Sequence, residues 1–375
     1  VAALSEVGVE VRPYNEAVGA VEQFASASVN DDEARRVWMD PARTNYALRR
    51  AFVDEGQLVT KPSPVGAMKA RKNEAELAGM RAAHRRDAAA MAHALARLEK
   101  QVQSDKNLTE VGVDEEVTRC RAEQPGYLGN SFDTIAGYAA NGAVVHYRAQ
   151  SGSASVVGTD ALLLLDSGGQ YVDGTTDLTR TVHFGEPTAH ERECFTRVLK
   201  GHIGLATAIF PPGTPGFVVD AFARRPLWEA GLDYRHGTGH GVGAALMVHE
   251  GPQGIGQNFA NKTPLEASMI VSNEPGYYSD GNFGIRIENL LEVVERSTPH
   301  QFGGSAYLGF EPLTLVPIQR SLIDLALLTK EEREYIDGYH AQVRQAIGPL
   351  LDKPGAEEAR AWLLRETAQL ESRIE

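Results

Sequence analysis

Four acidic residues stand in two pairs beside apolar segments, where a carboxylate is costly to bury unless a cation meets it. Asp166 ends a run of leucines, and Asp177 follows beyond a glycine-rich segment. Glu274 and Glu288 repeat this arrangement further along the chain. Taken singly, Asp166 could be a turn residue, and Glu288 with Arg286 could form the solvent face of an amphipathic strand. The repetition favours a shared site.

Histidines cluster between these two acidic pairs. The segment His236-Gly-Thr-Gly-His240-Gly-Val-Gly is followed closely by His249, so three of the eleven histidines of the chain fall in one short stretch. So many glycines argue against a helix, and in an extended segment His236 and His240 point to the same side. A single histidine is more often a core or surface residue than a ligand. Their grouping favours ligation.

Four carboxylates and one imidazole in a common core would repel each other strongly without cations. Two divalent ions balance the four negative charges and leave His240 neutral. An oxygen-rich set with one nitrogen suits Mn²⁺, and less well Zn²⁺, Co²⁺ or Fe²⁺, while the absence of thiolate argues against a structural zinc. A metal pair generates a hydroxide nucleophile and stabilises an oxyanion. The chemistry predicted is metal-assisted hydrolysis.

Other hydrolytic routes lack their motifs. The chain has no Gly-x-Ser-x-Gly segment, and neither His190-Glu191 nor His249-Glu250 has the second histidine of a zincin helix. An activated serine or that zinc motif is therefore not favoured.

Two hairpins must position the acidic residues. The segment around Asp166 and Asp177 predicts a buried strand, a glycine-rich turn and a returning strand, and a hairpin could bring both carboxylates to one face. The segment from Glu274 to Glu288 predicts strand, turn and strand again. Alternation places Arg286 and Glu288 on one face of the second returning strand.

Helices surround these hairpins, so the mixture predicts an α+β fold rather than a strictly alternating one. Asn73 is a suitable N-cap for a long amphipathic helix that runs to about Val102. Near the amino terminus the pattern predicts a strand over Arg35 to Met39 and a helix from an Asp40 cap to about Phe52. The remaining predicted helices are Glu110 to Arg121, Glu191 to Ala208, Lys330 to Ile347 and Glu357 to Leu370.

Two prolines and a glycine within Thr60 to Gly66 cannot continue a regular element, which places a domain boundary there. The sequence therefore predicts two domains, residues 1–63 and residues 64–375. The first is short for an independent domain, so we expect it to be the carboxyl-terminal part of a truncated α/β domain. The chain begins at Val1 without an initiator methionine, which suggests a processed form or a fragment.

Composition restricts the partners. The chain has 37 Lys and Arg against 50 Asp and Glu, and its net charge of −13 repels phosphate backbones and anionic lipid. No apolar run approaches the roughly 18 residues that span a bilayer. Two cysteines fit a reducing compartment. We expect a cytoplasmic protein that binds neither nucleic acid nor membranes.

Five motifs carry a resemblance that runs from about Pro64 to the carboxyl terminus. The sequence resembles the pita-bread metallopeptidases and, among them, the cytosolic Xaa-Pro aminopeptidases (aminopeptidase P). The motifs are Asn141-Gly-Ala-Val-Val-His146-Tyr, Asp166-Ser-Gly with Asp-Gly-Thr-Thr-Asp177-Leu-Thr-Arg-Thr, His236-Gly-Thr-Gly-His240-Gly-Val-Gly with Val-His249-Glu-Gly-Pro, Asn273-Glu274-Pro-Gly-Tyr-Tyr, and Gly284-Ile-Arg-Ile-Glu288-Asn.

The resemblance implies a pita-bread catalytic domain, α+β with an internal pseudo-duplication, preceded by the remnant of a creatinase-type amino-terminal domain. Asp177 and Glu288 would bridge two metal ions. Asp166 would hold one ion, and His240 and Glu274 the other. The bridging hydroxide would attack the peptide carbonyl before a proline.

The resemblance also implies roles for the surrounding residues. Glu274 would act as general base and acid, and His249 would polarise the carbonyl or stabilise the gem-diolate. His236 and His146 would shape the proline pocket and orient the substrate, and Arg286 would orient carboxylates. Purely structural roles stay open for these three histidines and for Arg286.

By the same resemblance, the substrates are peptides with proline at the second position, and the catalytic domain forms a homodimer. Two alternatives remain. A prolidase would act on Xaa-Pro dipeptides and would need a basic group for the free proline carboxylate. A metal-free pita-bread binding module would lack the acidic and histidine ligands. The short amino-terminal segment departs from the three-domain cytosolic enzymes, which puts closure over the substrate's amino terminus in question.

Overall fold

The computed structural model describes residues 2–26, 36–52, 55–104 and 107–370. The chain divides into two compact units, Val1–Met68 and Lys69–Glu375. The division falls within a helix, Pro64–Ala70. Each unit is described by itself.

The first unit contains short helices and two strands. Its elements are α1 (Ala2–Glu6), α2 (Ala17–Ser26), β1 (Val37–Met39), α3 (Tyr46–Arg50), β2 (Leu58–Thr60) and the start of α4 (Pro64–Ala70). Strands β1 and β2 pair in parallel. Their small core is formed by Met39, Ala51 and Phe52.

The helix predicted from Asp40 to Phe52 is wrong at its start. Asp40 begins only a turn: its Oδ1 accepts a hydrogen bond from the Ala42 N–H, and its Oδ2 accepts one from the Ser63 N–H. The Arg43 and Thr44 N–H groups close this turn on the Asp40 carbonyl, and no helix continues from it. Helix α3 begins after Asn45, whose side chain accepts from the N–H of Ala47.

Two other predictions in this unit change in part. The predicted strand Arg35 to Met39 corresponds to β1, although Arg35 lies outside the described residues. The proline-rich stretch Thr60 to Gly66 does not exclude regular structure, since Pro64 is the first residue of α4. Proline fits that position because the first helical N–H needs no partner within the helix.

Helices of 10 to 30 residues dominate the described part of the second unit. They are α5 (Glu74–Gln103), α6 (Glu110–Ala122), α7 (Ala189–Ala206), α8 (Gly216–Trp228), α9 (Lys330–Ile347) and α10 (Glu357–Glu366). Asn73 caps α5 as predicted, with Glu76 completing a reciprocal capping box. Thr188 caps α7, so this helix begins before the predicted Glu191. No helix in the described ranges is both long and apolar enough to cross a bilayer.

Short antiparallel strands form the sheets of this unit. They are β3 (Tyr127–Asn130), β4 (Ile135–Tyr138), β5 (Leu162–Ser167), β6 (Gly169–Tyr171), β7 (Gly174–Thr175), β8 (Leu178–His183), β9 (Gly239–His240), β10 (Gly254–Ile255), β11 (Ile270–Asn273), β12 (Gly276–Ser279), β13 (Phe283–Arg286), β14 (Asn289–Arg296) and β15 (Tyr307–Pro312). The sheet orders are β4-β5-β8, β11-β14-β15 and β3-β6-β7, with the pairs β9-β10 and β12-β13.

The order of elements repeats. Helices α5 and α6 precede the sheet β4-β5-β8, and α7 and α8 precede the sheet β11-β14-β15. The two halves meet where the Glu288 N–H donates to the Thr179 carbonyl and the Thr181 hydroxyl donates to the Arg286 carbonyl. This duplicated α+β arrangement is the one that the resemblance implies.

A buried arginine ties the halves together behind this junction. The Arg180 guanidinium donates hydrogen bonds to the carbonyl oxygens of Glu288, Val316 and Pro317 and to Asn289 Oδ1. Burial lowers its pKa. A charge placed here requires all of these acceptors, so Arg180 fixes the relation between β8 and β14.

Candidate metal centre and substrate cleft

A cleft of about 410 Å³ opens at the junction of the two halves. All the candidate site residues line it: His146, Asp166, Asp177, His236, His240, His249, Glu274, Arg286 and Glu288. Phe132, Ile135, Val145 and Val248 add an apolar wall. The cleft therefore combines a polar, acidic side with an apolar one.

The first acidic pair is positioned by neighbouring strands. Asp166 lies near the end of β5, opposite Thr179 of β8, and Asp177 immediately precedes β8. The predicted hairpin is therefore present. Its glycine-rich connection is more than a turn, because β6 and β7 pair with each other and β6 pairs with β3.

The second acidic pair sits at an equivalent junction. Glu274 follows β11 and Glu288 precedes β14, whose ends pair through Asn273 and Asn289. The predicted strands are interrupted there, since β12 and β13 form a separate hairpin. Glu288 and Arg286 are each 2% exposed, so the alternative that places them on a solvent face is wrong.

Ligand atoms of the acidic and histidine residues converge into three overlapping groups, each with all its atoms within 4.8 Å of one another. The groups are Asp166, Asp177 and Glu288; His240, Glu274 and Glu288; and Asp177, His240 and His249. Asp177, His240 and Glu288 each belong to two groups, and of these only the two carboxylates have two oxygens with which to bridge a pair of ions. A contiguous set with shared members is the arrangement that two adjacent ions require.

Glycines are needed around His240 because the backbone passes very close to its neighbours. A Cβ atom at Gly239 would lie 2.0 Å from the Ser272 carbonyl oxygen, and one at Gly241 would lie 2.0 Å from the Glu250 carbonyl oxygen. Only residues without side chains fit at these two positions. The alternating glycines thus deliver His240 to the acidic cluster on an extended backbone.

Hydrogen bonds fix the His240 ring. Its Nδ1 lies 3.0 Å from the Gly241 carbonyl oxygen, so Nδ1 carries the donating proton and Nε2 faces the cluster. Nε2 lies 3.4 Å from Asp177 Oδ2 and 3.6 Å from Glu274 Oε1. Burial alone would lower the pKa of His240, but the hydrogen bond to Asp177 and the charge of Glu274 raise it to about 9.

The carboxylates destabilise one another's charged forms. Burial raises the pKa of Glu288 well above its usual value, and the charges of Asp177 and Glu274 raise it further. Burial likewise raises the pKa of Glu274 to about 7, and burial with the Asp166 charge raises that of Asp177. The cluster therefore binds protons more readily than isolated carboxyl groups do, and divalent ions would compete with those protons.

One carboxylate oxygen shows directly that this cluster fits cations. Asp166 Oδ2 accepts from Arg286 Nη2 at 2.7 Å, whereas the buried Asp166 Oδ1 has no hydrogen-bond partner. An unpaired buried carboxylate oxygen is expensive. A set of carboxylate oxygens with one imidazole nitrogen suits divalent ions. The residues present thus fit a pair of divalent ions.

Arg286 connects the acidic cluster to His236 through Tyr278. Its guanidinium donates to Thr179 Oγ1 at 3.1 Å and to the Tyr278 hydroxyl at 2.6 Å, besides its bond to Asp166. The Tyr278 hydroxyl lies 2.8 Å from His236 Nε2.

The sequence analysis did not identify Thr179 and Tyr278. Thr179 also donates to Glu288 Oε2 at 2.7 Å. Both residues stand inside quoted motifs, Asp-Leu-Thr-Arg and Pro-Gly-Tyr-Tyr. Their position inside these motifs was the sequence signal that could have identified them.

The outer histidines are His146, His236 and His249, and they are less enclosed than the acidic residues. His146 and His249 are exposed, and His236 is half-buried. Burial, followed by the Arg286 charge, lowers the pKa of His236 to about 4, and burial lowers that of His249. The ring centres of His249 and His240 are 4.1 Å apart. The cleft environment therefore favours the uncharged form of both imidazoles, at His236 and at His249.

The loop that carries His249 is held by a buried ion pair. Glu250 Oε1 lies 3.1 Å from Lys72 Nζ, and Glu250 Oε2 lies 2.7 Å from Lys69 Nζ. The side chain of Lys72 is 1% exposed. Both lysines come from the segment just before α5, which thereby fixes the base of the His249 loop.

Family models match nearly the whole chain. The model of metallopeptidase family M24 matches residues 78–295, and that of the carboxyl-terminal region of this peptidase matches residues 306–370. A creatinase/prolidase amino-terminal domain model matches residues 1–76.

Curated relatives agree with these models. Aminopeptidase P2 of Arabidopsis thaliana is 49% identical over 395 residues, which covers 98% of this chain and 54% of that protein. A probable Xaa-Pro aminopeptidase P of Sclerotinia sclerotiorum is 46% identical, over 98% of this chain and 61% of its own length. The chain thus spans a little over half the length of these relatives.

Solved structures show the same fold. The X-prolyl aminopeptidase of Caenorhabditis elegans, described as a cytosolic enzyme with a di-nuclear active site, superposes with a TM-score of 0.91 at 39% identity, covering 98% of this chain and 59% of that one. The Xaa-Pro dipeptidase of Bacillus anthracis gives a TM-score of 0.61 at 26% identity, covering 76% of this chain and 74% of that one. The expected α+β pita-bread fold is confirmed, and the chain belongs to metallopeptidase family M24.

Proposed function

We propose that this chain carries the catalytic site of a Xaa-Pro aminopeptidase, which releases the amino-terminal residue from peptides with proline at the second position. The observation that carries the proposal is the convergence of four carboxylates and His240 beside an apolar-walled cleft. The relatives named aminopeptidase P and the di-nuclear neighbour support it.

The proposed metal ligands are the four carboxylates of the convergent set and the less exposed of its two histidines. Asp177 and Glu288, which each belong to two groups of ligand atoms, would be shared by two ions. Asp166 would complete one site, and His240 with Glu274 the other. Mn²⁺ is the proposed ion because oxygen donors predominate, with Zn²⁺ or Co²⁺ as alternatives. When bound, such a pair supplies a nucleophile at neutral pH and polarises the carbonyl.

Glu274 is the proposed proton carrier. Its Oε1 accepts a hydrogen bond from Ser272 Oγ at 3.0 Å, and the same hydroxyl accepts from the His240 N–H. This fixes the orientation of the carboxylate at the cleft wall. A carboxylate held so accepts a proton from the attacking water and returns it to the leaving proline nitrogen.

His249 is the proposed stabiliser of developing charge on the carbonyl oxygen. It lies next to His240 at the cleft mouth. Its loop is fixed by the buried Glu250–Lys72 pair. A donor held in place before the reaction stabilises charge without reorganisation.

The apolar wall is the proposed site of the proline ring. Phe132 and Ile135 line the cleft together with His146 and His236. His236 is oriented through Tyr278 by Arg286, which also holds Asp166. One guanidinium thereby couples the position of a metal ligand to that of a pocket residue.

We further propose a cytoplasmic location and a homodimer formed through the catalytic domain. The location is supported by the description of the nematode enzyme as cytosolic. The dimer follows from the family resemblance, and light scattering of the purified chain tests it, with a monomeric mass counting against it.

Release of the amino-terminal alanine from Ala-Pro-Ala and from Ala-Pro, measured on one Mn²⁺-supplied preparation, tests the reaction and its specificity. We expect a higher kcat/KM for the tripeptide and negligible cleavage of Ala-Ala-Ala, because only a proline ring packs fully against the apolar wall. A dipeptide preference of tenfold, about 1.4 kcal/mol in transition-state binding, would favour a prolidase. No cleavage of either proline peptide would contradict the proposal.

A further inference from the structure

A loop between β4 and β5 brings His146 to the cleft. The loop also supplies Val145 and Arg148 to the cleft lining. Apart from a short 3₁₀ turn, Ala139–Ala143, it contains no helix or strand. Its far end is held by backbone hydrogen bonds, from the Glu110 N–H to the Ser155 carbonyl and from the Val157 N–H to the Leu108 carbonyl, and side-chain contacts add to these.

Glu110 makes those contacts from the first turn of α6. It is 0% exposed, and both carboxylate oxygens are saturated with hydrogen bonds. Oε1 accepts from the Tyr138 N–H at 2.8 Å and from Asn141 Nδ2 at 2.9 Å. Oε2 accepts from the Tyr147 hydroxyl at 2.9 Å and from the Ser155 N–H at 2.8 Å.

The four residues that donate these hydrogen bonds lie on both sides of His146 in the sequence. Tyr138 and Asn141 precede it, Tyr147 is its neighbour, and Ser155 lies on the far side of the loop. Asn141 Nδ2 also lies 3.0 Å from the Tyr147 hydroxyl and 3.1 Å from Ser155 Oγ, so the donors are linked to each other. A single buried carboxylate thus joins both ends of the loop to the residue beside His146.

We propose that Glu110 is the positioning residue that holds His146 in the substrate cleft. The inference rests on the proposed function for the role of His146, but the anchoring itself rests only on these contacts. The four residues bonded to the Glu110 carboxylate are not among those proposed to bind metal. Its four bonds need four acceptor positions, which an ionised carboxylate offers and an amide does not.

Glu110→Gln tests the proposal because it keeps the shape of the side chain. The amide group must turn a donor toward two of the four donors, which breaks those bonds. Glu115→Gln is the matched control, since Glu115 is an exposed residue on the same helix. Tyr147→Phe removes one of the four donors to Glu110, together with the Tyr147–Asn141 hydrogen bond, and serves if Glu110→Gln does not fold.

Kinetics on Ala-Pro-Ala form the first readout. We expect Glu110→Gln to raise KM by about tenfold, the scale of a lost hydrogen bond to a charged group. We expect kcat and bound metal to stay unchanged. In a His146→Ala background, Glu110→Gln should add little, because both changes disturb one function. A full additional loss in that background would show a general structural role and overturn the proposal.

Hydrogen exchange is the second readout and needs no activity. Glu110→Gln should speed amide exchange over residues 139–156 and leave the strand carrying Asp166 protected, while Glu115→Gln should change neither. If the wild-type chain cleaves no proline peptide, the proposed function fails and this measurement alone decides the anchoring. Unchanged exchange in the loop would overturn it.

Discussion

The acidic cluster and the outer histidines face the same cleft but are positioned differently. Asp166, Asp177, Glu274 and Glu288 stand at strand ends, where the ladders β5-β8 and β11-β14 fix them. His146 and His249 are exposed and stand on loops, each anchored by a buried glutamate. Strand pairing therefore fixes the proposed metal ligands, whereas buried glutamate side chains help to anchor the loops that carry residues proposed to touch substrate.

This difference implies separable functions. A change at a strand end should disturb metal binding together with turnover. A change on a loop should alter turnover or substrate binding with the metal retained.

Glu288→Ala should have the largest effect, because Glu288 belongs to two groups of ligand atoms. We expect loss of the metal pair and a fall in kcat of about 10⁴-fold or more, as when a member of a catalytic constellation is removed. Metal analysis with peptide kinetics measures this. Glu295→Ala, at an exposed position on the same strand, is the control. A variant with two ions and normal turnover would refute the ligand assignment.

His249→Ala should separate the two regions most clearly. We expect unchanged metal content and a kcat lowered by roughly 10² to 10⁴, the range for a positioned acid or electrostatic group. His300→Ala, at an exposed position far along the chain, should leave kcat unchanged. If only KM rises in His249→Ala, then His249 binds substrate and does not act on the transition state.

Arg286→Lys probes the residue that touches both regions. Lysine cannot reproduce the guanidinium's simultaneous bonds to Asp166, Thr179 and Tyr278. We expect metal affinity to fall by about 10 to 100-fold, as for other partners that orient ligands. Titration calorimetry measures this, with Arg225→Lys on the exposed face of α8 as control. An unchanged metal affinity in Arg286→Lys would show that Arg286 does not orient the metal ligands.

The smallest effect is expected at His202, a buried histidine outside the cleft, and it concerns stability. Burial lowers the pKa of His202 to about 3, against an ordinary value of 6.5. Between these pH values the unfolded chain binds a proton that the folded chain does not, so the free energy of unfolding falls as pH decreases.

His202→Leu should remove this contribution. Wild type should lose up to about 1.4 kcal/mol more per pH unit than the variant between pH 6 and 4. Denaturant titrations at several pH values measure the slopes. Parallel slopes for the two proteins would show that His202 is not held uncharged in the fold.

The sequence predicted the acidic cluster well because its information is local. Carboxylates next to strand runs and glycines around His240 are visible in single segments, as is the Asn73 cap of α5. The helix predicted to start at Asp40 was wrong. One of the hydrogen-bond donors to Asp40, the Ser63 N–H, is distant in the sequence and could not be read from the local pattern.

The same limit applied to the supporting residues. Glu110 lies 28 positions before the Tyr138 that it bonds, and nothing near Glu110 in the sequence indicates this contact. Tyr278 and Thr179 act through partners on other strands. Predicting such roles requires knowledge of which elements become neighbours, and tertiary packing decides that.

The central claim is that the strand-end carboxylates hold two ions as a shared pair. Titrating Mn²⁺ into the metal-free chain, followed by electron paramagnetic resonance, tests it most directly. The account predicts two ions per chain and the broad spectrum of a spin-coupled pair, since ions bridged by Asp177 and Glu288 would lie about 3.5 to 4 Å apart. A single ion per chain, or two ions with the six-line signals of isolated Mn²⁺, would contradict it.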